Sequence, residues 1–386
     1  MLGGVALIEV GLGVSLALYL VGIGWFLHGV SKVSGQHPKW AGGQRPRVTV
    51  VVAARDEAQR IGACLGDLLD QAYPRQQREI IVVDDGSSDG TADLARGVSP
   101  ELQVISLPTS GKKAALEAGI ARARGEIILT TDADCRLPST WIEGMVACFT
   151  PGVGLVVGFS QIVAPGQVPH LRAGWEGLDF LSLMTCIMGS IGQGQAMAAS
   201  GQNLAYRKQA FGEVGGYAGV RHRASGDDVL LLHKVRRETA WEVAFCRHPG
   251  TFVVHPAAPS WRGLLGQRRR WASNAPLMAR WQPLFFAYMV CTFLLEIQLA
   301  LTPLLVLSGL LGVDGALLAW GGKIAGEAVL LYSGARIFAR SDLLSYWPFW
   351  ALSNPFYKVL MGGAGLFGRF KWKGVQHRWG RRLPNK

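Results

Sequence analysis

The chain has 386 residues and a formal net charge of +12. Only 17% of its residues are charged and 49% are apolar, whereas an average soluble domain is about 25% charged. That balance excludes a chain folded as one ordinary soluble domain.

The deficit of charge is local. Residues 5–30 carry one Glu and one His, and 283–313 carry one Glu; 315–338 and 346–370 are also largely apolar. A bilayer takes about 20 such residues per helix. No basic stretch precedes the first run, and it is longer than the apolar core of a signal peptide, so it reads as a retained anchor. The cations gather beside apolar segments: Arg262, Arg268, Arg269, Arg270 and Arg280 before one, and Arg369, Lys371, Lys373, Arg378, Arg381 and Arg382 after the last. That is the pattern of cytoplasmic ends against anionic lipid, not of a nucleic-acid surface. Six cysteines without regular spacing read as reduced thiols facing a reducing compartment.

The order predicted is an N-terminal membrane helix (1–31), a polar linker (32–46), a soluble domain (47–256), an interfacial segment (257–282), membrane helices (283–368) and a basic cytoplasmic tail (369–386). The segment 346–368 is expected to be broken, re-entrant or interfacial, because Pro348, Pro355, Gly362, Gly363 and Gly365 lie in it. With the N-terminus outside, 283–313 and 315–338 form a hairpin.

The soluble part opens with a β-rich run at 47–54, then a helical pattern from about Glu57 to Gln71. A buried strand, EIIVVDD at 79–85, leads to the turn GSSDGT; strand LQVISL, helix GKKAALEAGIARA and strand EIILTTD follow. Strands alternating with helices predict an α/β fold with a mostly parallel sheet. Ligands of such sheets bind outside the carboxyl ends of the strands. Arg55 and Glu57 follow the first strand, Asp84 and Asp85 the second, Asp132 and Asp134 the fourth.

Each motif has two readings. Asp132 and Asp134 can hold Mg²⁺ or Mn²⁺ with oxygen ligands, or cap the next helix, with Pro138 opening it. In VVDDGSSDGT, an Asp at the strand end can accept from a base or ribose, Gly86 permits a tight turn, and Asp89 reads as a plain corner residue. Lys112 can reach a phosphate or stand in solvent. Asp227 and Asp228 can cap the following helix, or one of them can be a general base. QRRRW at 267–271, among Trp261, Trp271 and Trp281, reads as an interfacial helix.

Taken together, VVVAARDE, VVDDGSSDGT, GKKAAL, DAD, GQNLAYRKQAF, GDD and QRRRW, in that order, resemble the membrane-bound family 2 glycosyltransferases. The resemblance runs from about 47 to 271 and implies a GT-A fold. It implies that Ala53, Arg55, Glu57, Asp85 and Asp132 hold the nucleotide, Lys112 the donor, and Asp134, with Asp132, the metal. Gly201, Gln202 and Asn203 would shape the acceptor pocket, and Gln267, Arg270 and Trp271 would close over diphosphate and acceptor. Asp228 would be the base, with Asp227 capping the helix or orienting a neighbour such as Arg270. Ala53 stands where a Pro is frequent, and Asp227 where a Glu is frequent.

The expectation is an inverting, metal-dependent transfer of one sugar from a nucleotide sugar, a UDP-sugar, to the hydroxyl of a membrane lipid at the cytoplasmic face. The alternatives are a polysaccharide synthase, a polyprenyl-phosphate glycosyltransferase and a non-catalytic nucleotide-sugar-binding subunit.

Overall fold

The computed structural model describes residues 2–33, 35, 44–163, 170–223, 225–367, 369–372, 375–378 and 381–382. Most of the linker expected at 32–46 lies outside them. The chain forms two compact units. One comprises residues 31–168 and 190–257; the other comprises 1–30, 169–189 and 258–386.

In chain order the elements are α1 (Leu2–Lys32), β1 (Val48–Ala54), α2 (Ile61–Leu69), β2 (Arg78–Asp85), α3 (Thr91–Val98), β3 (Leu102–Leu107), α4 (Lys112–Arg122), β4 (Ile127–Asp132) and α5 (Trp141–Ala147). There follow β5 (Val153–Gly158), β6 (Ser160–Val163), α6 (Leu171–Gly192), β7 (Leu204–Arg207), α7 (Lys208–Glu213), α8 (Val229–Glu238), β8 (Glu242–Cys246) and β9 (Val253–Pro256). The last are α9 (Trp261–Ala272), α10 (Ala275–Trp281), α11 (Pro283–Leu307), α12 (Val313–Ile337), α13 (Trp347–Phe367), and the short strands β10 (Arg369–Trp372), β11 (Val375–Arg378) and β12 (Arg381–Arg382).

The first unit is a seven-stranded sheet in the order β3-β2-β1-β4-β7-β5-β8. Every neighbouring pair is parallel except the two that β7 makes with β4 and β5. The strands are continuous apolar runs because both faces of the sheet are covered: Val50, Val51 and Val52 of β1, and Ile81, Val82 and Val83 of β2, have no exposed surface. This is the mostly parallel α/β fold expected. The first helix starts at Ile61, not near Glu57, because the backbone from Asp56 is tied to the β2–α3 turn. The next helix after Pro138 begins at Trp141.

The second unit holds the long helices. Ala6–Lys32 and Pro283–Leu307 are long and apolar enough to cross a membrane, and among the described residues no other helix meets both tests. The runs at 315–338 and 346–370, counted as apolar from the sequence, carry paired charges on α12 and α13. Lys323 Nζ lies 2.8 Å from Glu327 Oε2, and Lys358 Nζ lies 2.6 Å from Glu296 Oε1. Tyr19 of α1 donates to Glu327 at 3.1 Å. Lys323, Glu327 and Glu296 are at most 2% exposed. Four helices thus share one neutral cluster.

One expectation for the C-terminal part is corrected. The segment 347–367 is one continuous helix and not a broken one. Pro348 falls in its first turn, where a missing N–H costs nothing, and Pro355 removes a single bond. The basic tail contributes a small antiparallel sheet, β10-β11-β12.

Removing one partner of a buried pair leaves an uncompensated charge, at about 3–5 kcal/mol. Lys323→Met should therefore lower the unfolding midpoint in detergent sharply, and the Lys323→Met, Glu327→Met double variant should lower it far less. Equal losses would mean that pairing does not hold these helices together.

Candidate active site

The carboxyl ends of β1, β2 and β4 lie side by side, since β1 pairs with both others in register. Strand β7 runs antiparallel to β4, with Leu204 opposite Thr130. The residues just before β7 therefore emerge beside those just after β4. That topology brings Gly201 to the edge where Asp132 ends its strand.

Three loops are stitched together at this edge. Asp56, in the left-handed region at φ 53°, accepts from the amide of Ser88 at 2.9 Å, and its own amide donates to Ser87 Oγ. The Glu57 amide donates to Thr91 Oγ1 and the Ala58 amide to Asp89 Oδ2. Asp89 also accepts from the Thr91 amide, so the plain corner reading holds for it. Gly86 has φ 71°, and a Cβ there would fall 2.6 Å from Thr109 Oγ1, so a side chain is excluded on both counts. The Asp85 carboxylate accepts from the amides of Ser110 (2.7 Å) and Gly111 (2.9 Å). It shapes the loop that presents α4.

Lys112 is the first residue of α4. Its Nζ lies 2.7 Å from Asp132 Oδ1 and 2.9 Å from Asp227 Oδ2. Burial works against the amine's charge, yet the carboxylates of Asp132 and Asp227 outweigh it and hold Lys112 well above the ordinary lysine value. Burial also acts to raise Asp227, but Lys112 and Lys113 prevail and bring its carboxyl down to about 2. Asp228 goes the other way. Burial, then the charge of Asp227, pushes its carboxyl up to about 6. Two adjacent carboxyls are thus set apart by environment, one fixed as an anion and one titrating near neutrality.

Asp228 holds the N-cap position of α8. Its Oδ1 accepts from the Val229 amide at 2.7 Å and its Oδ2 from the Gly201 amide at 2.8 Å. Asp227 was expected to cap the helix or orient a neighbour such as Arg270; the cap is Asp228, and Asp227 pairs with Lys112. A Cβ at position 201 would stand 3.1 Å from Asp227 Oδ2 and 3.5 Å from both Asp228 Oδ2 and Lys112 Nζ. Glycine there leaves the carboxylates their space.

Asn203 is fully buried. It accepts from Trp141 Nε1 and donates to the carbonyls of Phe159 and Thr251. Its amide braces the sheet. Gln202 Oε1 accepts from Ser200 Oγ at 3.3 Å. Asp134 faces a cavity of about 260 Å³ with Gln59, Arg60, Arg136 and His255. Burial and the neighbouring Asp132 raise the Asp134 carboxyl above its ordinary value. The two carboxylates repel, and among the described residues no group of three or more His, Cys, Asp or Glu is placed to hold a metal ion.

Gln267, Arg270 and Trp271 lie on α9, in the other unit. There Arg268, one residue off the motif positions, pairs with Asp179 at 2.9 Å and stacks 4.2 Å over the Trp271 ring. All six cysteines are free thiols.

Residues 49–224 match the family described as glycosyl transferase family 2. The chain carries a family 2 glycosyltransferase domain. Glycosyltransferase AglE of Haloferax volcanii is 28% identical over 219 residues, covering 55% of this chain and 68% of that protein. The beta-monoglucosyldiacylglycerol synthase of a Synechocystis strain is 27% identical over 240 residues, covering 59% of this chain and 48% of that enzyme. This glycosyltransferase thus spans about half to two thirds of the length of these curated relatives. The mannosyltransferase PcManGT from Pyrobaculum calidifontis, solved with GDP-Man and Mn²⁺, superposes with a TM-score of 0.61 at 22% identity over 94% of this chain and 99% of that one. It shares the GT-A fold.

The opposed carboxyls make stability depend on pH in a defined sense. An unfolded Asp titrates near 3.9, so between about pH 4 and 6 the folded state holds a proton on Asp228 that the unfolded chain has lost. Stability therefore falls as pH rises through that window. Asp228→Asn should melt higher than the parent at pH 7.5, and the two curves should meet below about pH 4. A difference that persisted unchanged at low pH would show that the ionised carboxyl is not the cause. Lys112→Met should cost about 1–3 kcal/mol at pH 7 by stranding two carboxylates.

Proposed function

We propose that the enzyme moves one sugar, with inversion, from a nucleoside-diphosphate sugar to the hydroxyl of a membrane lipid. One observation carries the reading. Asp228 is a half-buried carboxyl pinned by the Gly201 amide, and burial and the charge of Asp227 push it up to about 6. A general base works best with a pKa near the working pH. One base, facing a leaving group on the opposite side, fits a single in-line displacement, which inverts the sugar carbon.

Arg55, Glu57 and the loop held by Asp85 would bind the nucleoside, with Ala53, next to last in β1, beneath it. Lys112 would meet the diphosphate while still paired with Asp227, giving up Asp132 to the cation. Asp132 and Asp134 would hold Mg²⁺ or Mn²⁺. Such a cation offsets the charge of the departing diphosphate. Mn²⁺ and GDP-Man bound to the mannosyltransferase neighbour support the metal and donor class; a UDP-sugar is the donor the family likeness favours.

The lipid acceptor rests on two supports. A relative is named for making glucosyldiacylglycerol, and two helices are apolar enough to cross a bilayer. A lipid hydroxyl must lose a proton, which gives Asp228 a task; a polyprenyl phosphate is already a nucleophile and would not need it. The basic clusters at 262–280 and 369–382 would lie on the cytoplasmic side.

Asp228→Asn should lower transfer to diacylglycerol by about 10²–10⁴-fold and leave binding of UDP and GDP unchanged. Asp227→Asn should cost less in rate. The product's anomeric configuration, read by NMR, should be opposite to the donor's. An inactive Asp227→Asn beside an active Asp228→Asn would move the base by one residue; undiminished activity in both would favour a binding subunit.

A further inference from the structure

Lys112 and Lys113 are neighbours at the start of α4, and side chains one residue apart on a helix diverge by about 100°. Lys112 turns to carboxylates. Lys113 turns inward and is only 4% exposed. Its Nζ donates to the carbonyls of Arg223 at 2.8 Å and Ser225 at 3.0 Å. Those carbonyls belong to the segment that runs directly into Gly226, Asp227 and Asp228. Gly226, at φ 85°, has the widest conformational freedom of any residue. The segment therefore needs an outside anchor to aim the two aspartates at its end. An ammonium group with three donors that commits two to backbone carbonyls supplies one, independent of the side chains in the segment.

We propose that Lys113 is a positioning residue for sugar transfer, clamping the backbone at Arg223 and Ser225 so that Asp227 stays on Lys112 and Asp228 on the Gly201 amide. The proposal rests on the reading of Asp228 as the base. The sequence pattern gives a lysine at this helix start a phosphate to meet; the geometry gives the second lysine of the pair a different task, behind the carboxylates. The charged groups facing the Lys113 amine are Asp227, Asp228, Lys112 and Arg223. Burial brings the amine down to about 8, with the two aspartates opposing that fall. At neutral pH it is therefore a cation that favours the ionised state of both carboxyls, as well as a clamp.

The test uses the full chain in detergent, with diacylglycerol and whichever UDP- or GDP-hexose the parent enzyme turns over. Lys113→Met should lower kcat roughly 10- to 100-fold, the scale of a small misplacement of a catalytic group, and leave the donor KM within about twofold. The acid limb of its kcat profile should move upward from about pH 6, because a nearby positive charge is gone. Lys113→Gln keeps two N–H donors, on a shorter arm, and no charge; its kcat should fall between the two, with the limb also moved up. It serves as well if the Met variant does not fold. Parent-like kcat in the Gln variant, or a lowered melting point with the acid limb unmoved, would overturn the proposal. If Asp228→Asn is itself active, the base assignment fails; if that variant is inactive and both Lys113 variants run at the parent rate, only the clamp fails.

Discussion

A charge withdrawn from water must find its opposite, and that requirement shapes both units of this glycosyltransferase. In the α/β unit, Lys112 lies between Asp132 and Asp227. In the helical unit, Lys323, Glu327, Glu296 and Lys358 share one cluster. The two differ in what is left over. The helical cluster balances two cations with two anions. At the sheet edge, burial and a neighbouring carboxylate outweigh the lysine at Asp228 and Asp134, and both are raised above their ordinary values. Asp227 and Asp228 are adjacent carboxyls whose environments push them apart, a mark of acid–base sites.

The fold was largely legible because its signals are local. Strands β1, β2, β3 and β4 fall within a residue of where apolar runs and turn residues put them, since a parallel sheet covered on both faces demands unbroken hydrophobic strands. The carboxylates at their ends followed from topology alone. What the sequence hid depends on partners far along the chain. Asp227 and Asp228 are adjacent, and nothing in GDD says which one caps α8; a lysine more than a hundred residues earlier decides it. The inward turn of Lys113 was equally hidden, although GKK offered a signal, since two lysines opening one helix cannot face the same way. Asn203 sits in a motif that looks functional, yet its amide is taken up by Trp141, Phe159 and Thr251.

The helical unit was legible in number and less so in character. Lengths of apolar sequence located α1, α11, α12 and α13. Their charges looked like isolated exceptions, because Glu296, Lys323, Glu327 and Lys358 come from three helices and meet only when these pack. Proline and glycine in 346–368 suggested a break, but packing kept α13 whole around Pro355.

Helix α6 interrupts the catalytic stretch and belongs, through residues 169–189, with helices that come after residue 258. Trp175 donates to Ser353, 178 residues downstream, and meets the rings of Trp261 and Tyr357. During synthesis α6 emerges long before these partners exist. At about 5–20 residues per second, Trp175 waits roughly ten to forty seconds for Ser353 to leave the ribosome. The seven-stranded sheet is completed only after this helix has been made, since β7 and β8 come after it. During synthesis α6 therefore lacks these partners of Trp175 until the last long helix has been made, and a fragment ending at residue 256 would lack all three of them.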